Sequence, residues 1–246
     1  MGTKLELALS AGLVLAGAAT ARQGAPWPPS VTAVCGNLLV RIDGPKIWTL
    51  SRIEYGGTRL GIEESAYGTV FNFPDVGFIG SGHRDVGVEA AESVEFYLDG
   101  EPVAAPGGTL RGASFRVVKR SRIRDVALES DVAVARDRIT ERMIVRVERA
   151  VPLRFVYHFM HAWTPTATAY LAGRAGGGEV EGELRDAPET DRQFYVNREM
   201  DWIAVYDGPS GKGVVSRLVE RPALGGATMK LWNVPRVYRK FTRRRP

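Results

Sequence analysis

Residues 114–148 read "SFRVVKRSRIRDVALESDVAVARDRITERMIVRVE" and decide the fold class of this chain. Apolar and β-branched side chains alternate with polar ones in three successive segments, which is typical of strands with one face against a core. A short polar turn, Arg136-Asp137-Arg138, separates the second segment from the third. Strands joined by such short connections predict antiparallel pairing, because parallel strands need long crossovers.

The same pattern continues on both sides of this stretch. It recurs in "NLLVRID", "IWTLSRIEY", "GTVFNF" and "SVEFYLDG" before it, and in "PLRFVYHFMHAW", "TAYLAG", "EVEGEL", "RQFYVN", "DWIAVYDG", "GVVSRLVE" and "TMKLWNV" after it. Asp99-Gly100 predicts a hairpin turn, and Gly176-Gly177-Gly178 predicts a flexible connection. No segment has the periodicity of an amphipathic helix. We therefore predict an all-β protein, a large antiparallel β-sandwich that forms one domain over residues 31–246.

The N-terminus is typical of an export signal. An apolar run, "LALSAGLVLAGAA", follows Lys4 and leads to the small-residue site Ala19-Thr20-Ala21. The run is shorter than the ~18 to 20 apolar residues that a membrane span needs; a short buried helix or a membrane anchor is the alternative. We predict a signal peptide over residues 1–21, a proline-rich lead-in over residues 22–30, and a periplasmic or secreted protein without stable membrane insertion after cleavage.

Composition limits the possible partners. The chain has 246 residues, a net charge of +5 and a single cysteine, so it forms no internal disulfide, and Cys35 is expected to be a small buried strand residue. The basic run "RVVKRSRIRD" is expected to form the polar face of a strand, and the basic tail "YRKFTRRRP" a solvated terminus. Neither run is interleaved with aromatic residues, so no nucleic-acid partner is predicted. An acidic glycan is compatible with the positive charge.

The strand from Leu153 to Trp163 carries two of the three histidines. In an extended chain His161 and Trp163 share one face with three aromatic rings, while Arg154 and His158 share the other face. His158 and His161 would therefore point apart unless a bulge intervenes, and we predict neither a metal nor a cofactor. The aromatic face is either core or a platform on which sugar rings stack.

The third histidine lies in a glycine-rich stretch, "GFIGSGHRD", which spans Gly77 to Asp85. Glycines allow a loop to turn tightly and to approach a ligand closely. His83 can move a proton near neutral pH, and Arg84 can hold a carboxylate or sugar hydroxyls. In the alternative interpretation, His83 only caps the backbone of a turn. Tyr67 and Tyr195 are further candidates, for substrate binding and for proton transfer respectively.

The order of segments from residue 125 to Trp163, in which a proline-led strand ends in histidine and aromatic residues, resembles the middle of the galactose mutarotase-like supersandwich. "GFIGSGHRDVG" is similar to the segment that places an arginine in the pocket of that family. The resemblance covers about Phe71 to Trp163. It implies a β-supersandwich and a carbohydrate ligand, with a site formed by His83, Arg84 and a strand histidine. The same fold serves in epimerases, in polysaccharide lyases and as accessory domains.

Two functions follow from these observations. The first is an exported enzyme that abstracts a proton from a sugar, by lyase or epimerase chemistry. Its catalytic groups would be His83, His158, His161 and Tyr195, and its substrate-binding groups Arg84, Trp163, Tyr67 and Arg154. The second is a noncatalytic glycan-binding or structural sandwich. The proton-transfer groups favour the first function, and the lack of a matched carboxylate base favours the second.

Overall fold

The structure is a computed structural model. It describes residues 29–61, 68–80, 89–104, 106–163, 166–184, 194–220, 228–234 and 238–244. The predicted signal peptide and nearly all of the predicted lead-in lie outside the described residues. So do Tyr67, His83 and Arg84.

The described residues form strands and one short 3-10 helix, and none of them is in an α-helix. The prediction of an all-β, mostly antiparallel fold is therefore confirmed. The elements are β1 (Ser30–Cys35), β2 (Leu38–Asp43), η1 (Gly44–Lys46), β3 (Thr49–Tyr55), β4 (Thr58–Gly61), β5 (Val70–Phe73), β6 (Gly77–Gly80), β7 (Ala90–Leu98), β8 (Glu101–Pro102), β9 (Thr109–Gly112), β10 (Ser114–Ile123), β11 (Val126–Ala135), β12 (Arg138–Val147), β13 (Phe155–Trp163), β14 (Ala167–Gly173), β15 (Glu179–Glu183), β16 (Phe194–Glu199), β17 (Trp202–Asp207), β18 (Lys212–Arg217), β19 (Thr228–Val234) and β20 (Tyr238–Arg244).

The strands form three sheets. The large sheet has the order β16-β19-β20-β13-β4-β3-β2-β1-β9, and β5 and β6 extend it from β13. The five-stranded sheet has the order β12-β11-β10-β7-β8, and the four-stranded sheet has the order β15-β14-β17-β18. Every ladder among the described residues is antiparallel except the one between β1 and β9.

Short turns set the register of the five-stranded sheet. Asp99 and Gly100 join β7 to β8 with φ angles of +52° and +89°, the pair of positive angles that a two-residue hairpin turn of type I′ requires. Two residues also join β10 to β11 and β11 to β12, and the first of each pair, Arg124 and Arg136, has a positive φ of 54° and 55°. The turns predicted at Asp99 and Arg136 are confirmed.

A bulge divides β13 into two halves. The strand pairs His158 with Arg243 and His161 with Phe241, so a step of three residues along β13 matches a step of two along β20. Phe159 lies within the bulge and has a φ of +47°. Because Arg243 and Phe241 are two residues apart, His158 and His161 share one face of the sheet. The regular alternation predicted for Leu153 to Trp163 is therefore wrong. Phe155 and Tyr157 lie on the opposite face from His161 and Trp163.

Two segments that the sequence predicts as irregular are strands. Gly77–Gly80 is β6 and pairs with β5; a side-chain carbon at Gly80 would lie 2.4 Å from the carbonyl oxygen of Thr69, so only glycine fits there. The basic tail predicted to be a solvated terminus contains β20, which lies between β19 and β13 in the large sheet. Both segments are strands because their backbones pair with neighbouring strands. Neither the glycines of the first segment nor the charges of the second indicate that pairing in the sequence.

One buried cluster draws side chains from all three sheets, including Val40 and Trp163 of the large sheet, Phe115 and Val117 of the five-stranded sheet and Ile203 of the four-stranded sheet. Cys35 belongs to this cluster and is fully buried, as predicted. Burial and the nearby charge of Asp99 raise the pKa of its thiol. Within the described residues, no helix has the length and apolar character needed to cross a bilayer.

Candidate functional site

A narrow cleft lies between the large sheet and the five-stranded sheet. The large sheet contributes Thr69, Phe159 and His161 to its wall, and the five-stranded sheet contributes Lys119 and Glu141. The bulge in β13 brings His161 to this wall, because it turns the second half of the strand toward the other sheet. The cleft has a volume of ≈ 20 Å³, room for about one water molecule. It admits a hydroxyl group and excludes a sugar ring.

His161 and Glu141 form an ion pair in this cleft. Nε2 of His161 lies 2.7 Å from Oε1 of Glu141, and the two side chains are 13% and 20% exposed. Burial lowers the pKa of His161, but the charge of Glu141 and the hydrogen bond to it raise the pKa more, so the net direction is upward. The pair can hold a proton on the imidazole above the usual pH range and can exchange it with a hydroxyl-sized group.

A second charged pair lies deeper between the sheets. Nζ of Lys119 lies 2.6 Å from Oε1 of Glu89 and donates a hydrogen bond to the carbonyl oxygen of Ile47. The hydroxyl of Ser121 donates to the same oxygen of Glu89. Both charged side chains are at most 3% exposed. This network ties β10 to the turn before β3, and its burial favours a structural role for Lys119 and Glu89.

Thr69 adds a polar group to the cleft wall. Its side chain is buried, and its Oγ1 makes no hydrogen bond to any described group. A buried hydroxyl beside space for one water molecule is a typical internal hydration site. Among the described residues, no group of three histidine, cysteine, aspartate or glutamate side chains is placed to hold a metal ion.

The outer face of the large sheet carries a different feature, which we call the aromatic group: Phe78 of β6 with Phe155 and Tyr157 of β13. The rings of Phe78 and Tyr157 are 6.0 Å apart and within 10° of parallel, and Phe155 lies 5.5 Å from Phe78 and 4.9 Å from Tyr157. All three side chains are partly exposed. They form a partly exposed cluster of rings to which His161 and Trp163 do not belong.

The structure separates the other predicted site residues. Trp163 is 4% exposed and packs in the core, with its ring 5.6 Å from that of His161. Tyr195 packs against Tyr170 of the four-stranded sheet, with the ring centroids 5.5 Å apart. Arg154 precedes Phe155 in the chain and is exposed, and its guanidinium donates a hydrogen bond to the carbonyl oxygen of Pro74. His158 is partly buried on the same face as His161.

Sequence reasoning missed Glu141, Lys119 and Glu89. A signal for two of them was present in the strand alternation. Lys119 follows Phe115 and Val117 on the inward side of β10, and Glu141 lies between Ile139 and Met143 on the inward side of β12. A charged residue at an apolar position of a strand indicates a buried partner. Glu89 precedes β7 and gives no such signal.

The chain matches none of the known protein-family models, curated proteins or solved structures with which it was compared. What stands of the resemblance to the galactose mutarotase-like supersandwich is therefore the coarse architecture, an all-β protein of three sheets.

Proposed function

We propose that the protein is an exported, carbohydrate-directed β-sandwich that binds glycans through the aromatic group on the outer face of the large sheet. The observation that carries this proposal is the arrangement of Phe78, Phe155 and Tyr157 as three neighbouring, partly exposed rings. Sugar rings present apolar C–H faces, and aromatic rings offer a broad apolar surface for them at a small cost in side-chain entropy. The resemblance to the galactose mutarotase-like supersandwich supports a carbohydrate ligand.

Arg154 lies at the end of the sheet next to this surface. It lies one residue before Phe155, is exposed, and is held toward the β5–β6 turn by its hydrogen bond to Pro74. That turn leads into β6 and Phe78, and a guanidinium at this end of the sheet can donate to sugar hydroxyls or to a carboxylate while the rings hold the apolar face. Binding by stacking and by one or two hydrogen bonds predicts a weak, shape-directed interaction.

The test is titration calorimetry against a panel of neutral and acidic oligosaccharides. We expect Tyr157→Ala to weaken glycan binding about fivefold, the loss of one stacking contact of about 1 kcal/mol. Tyr157→Phe keeps the ring and should keep most of the affinity. Tyr206→Ala removes an exposed tyrosine of the four-stranded sheet and is the matched control. Wild-type affinity in Tyr157→Ala would rule out the aromatic group.

A second candidate function is proton-transfer catalysis on a sugar. The 2.7 Å pair of His161 and Glu141 favours it, since it supplies the carboxylate for which the sequence offered no match. The described residues on either side of the segment that carries His83 and Arg84 contact residues of the cleft wall. Gly80 packs against the backbone of Thr69, and Glu89 pairs with Lys119. In this function a substrate hydroxyl would enter the cleft while the ring stays outside.

Catalysis is tested by incubating the mature protein with polyuronates and following the ultraviolet absorbance of unsaturated products. Turnover in the wild type that Glu141→Gln abolishes, while the variant remains folded at the assay temperature, would establish the catalytic function. Glycan binding without turnover would leave the noncatalytic function. If Glu141→Gln lowers the melting temperature and changes no activity, then the pair only stabilises the fold.

A further inference from the structure

The outer face of the five-stranded sheet is covered by charged side chains. Arg116, Arg120 and Arg122 of β10 are 44% to 53% exposed. Arg138, Arg142 and Arg146 of β12 are exposed as well. The register places all six on one face, opposite to the side that packs on the large sheet. Four carboxylates share that face: Glu92 and Glu95 of β7, and Glu129 and Asp131 of β11.

The four carboxylates pair mainly with the arginines of β10 and little with those of β12. The arginines of β10 take all four of them: Arg116 pairs with Asp131 at 2.7 Å, Arg120 with Glu95 and Glu129 at 3.3 and 3.4 Å, and Arg122 with Glu92 at 3.1 Å. In β12, Arg146 lies 3.9 Å from Glu129, and neither Arg138 nor Arg142 forms an ion pair with any described residue. Six arginines and four carboxylates leave a surplus of two positive charges, concentrated on β12.

The geometry of β12 makes these charges a row. Arg138, Arg142 and Arg146 are four residues apart on one face of an extended strand, so neighbouring Cα atoms are about 13 Å apart. The strand is an edge of its sheet, and among the described residues it pairs only with β11. A linear ligand can therefore lie along the row. Guanidinium groups bind carboxylates and sulfates with two parallel hydrogen bonds.

We propose that this row, which we call the arginine row, is a binding site for a linear anionic glycan, a polyuronate or a sulfated polysaccharide. The choice of a glycan rests on the carbohydrate-directed function proposed above. It also rests on the ring content of the surface: Tyr97 is the only aromatic residue on the outer face of β7, β10, β11 and β12, whereas single-stranded nucleic acids are held on several stacked rings. Each exposed contact is weak, and three contacts on one polymer add up.

The test measures how tightly the protein, without its predicted signal peptide, binds polygalacturonate and heparin. We expect the triple variant Arg138→Gln, Arg142→Gln, Arg146→Gln to weaken binding by about tenfold or more, and higher salt to weaken wild-type binding steeply. The matched control is Arg111→Gln, Arg174→Gln, Arg217→Gln, which removes the same charge from exposed positions outside the five-stranded sheet. The control should bind almost as the wild type does.

Equal losses in the two triple variants would overturn the proposal, because net charge alone would then explain binding. Tighter binding of a single-stranded oligonucleotide through the same three arginines would also overturn it, in favour of a nucleic acid. Binding of neutral oligosaccharides through the aromatic group is a separate readout. Its presence in the arginine variant with loss of polygalacturonate binding supports both proposals, and its absence from the wild type would contradict only the proposed function.

Discussion

Lys119 shows how a single buried charge can hold two layers of this protein together. Its ammonium contacts Glu89 and the carbonyl oxygen of Ile47. Glu89 comes just before β7 of the five-stranded sheet, and Ile47 comes just before β3 of the large sheet. We expect Lys119→Met to cost about 3–5 kcal/mol of unfolding free energy, because it leaves the carboxylate of Glu89 buried without its cation. The double variant Lys119→Met, Glu89→Gln should recover part of that loss. Urea denaturation measures both, and a single-variant cost below about 1 kcal/mol would contradict the network.

His161 makes stability depend on pH. Its pKa in the folded protein is raised through Glu141, so its contribution to stability is fully present below the unfolded pKa of about 6.5 and is lost as pH rises through the folded pKa. The melting temperature should therefore fall between mildly acidic and mildly alkaline pH, and Glu141→Gln should flatten that dependence. Identical pH dependence in the wild type and Glu141→Gln would show that the pair does not have this effect.

The hairpin between β11 and β12 stores strain at one residue. Arg136 has a φ of +55° without being glycine, and asparagine tolerates this region better than arginine does. We expect Arg136→Asn to stabilise the protein by about 0.5–1 kcal/mol. Arg138→Asn, which removes the same charge from an extended position, is the control and should not stabilise. Thermal unfolding of the two variants decides between these outcomes.

Alternation in the sequence predicts the strands well where one face is apolar and the connection is short. The segment "SFRVVKRSRI" coincides with β10, residue for residue. Alternation fails at β6, where glycines carry no side-chain pattern, and at β20, where arginines and lysines mask a strand in the large sheet. It also fails at the bulge in β13, since one inserted residue changes the face of every later side chain. The bulge decides on which face of β13 His161 lies, so the sequence named His161 but not the side of the sheet on which it meets Glu141.

Lys212 joins the four-stranded sheet to the large sheet. Its Nζ donates hydrogen bonds to the carbonyl oxygens of Tyr55 and Gly56 and to the hydroxyl of Thr58. We expect Lys212→Met to cost about 1.5–3 kcal/mol, the range for hydrogen bonds from a charged group. Arg217→Met, on the same hairpin, is the control. Amide hydrogen exchange should show faster exchange in β17 and β18 of the Lys212 variant, and unchanged protection there would contradict the joint.

We propose that the outer face of the large sheet is where glycans bind. Amide chemical-shift mapping by NMR tests it, during titration of the protein with an oligosaccharide that calorimetry identifies as a ligand. We predict that the largest shifts occur in β6 and in the first half of β13, around Phe78, Phe155 and Tyr157, and that Tyr157→Ala removes them. Shifts confined to the cleft around His161 and Glu141, or no shifts with any neutral or acidic glycan, would contradict the claim.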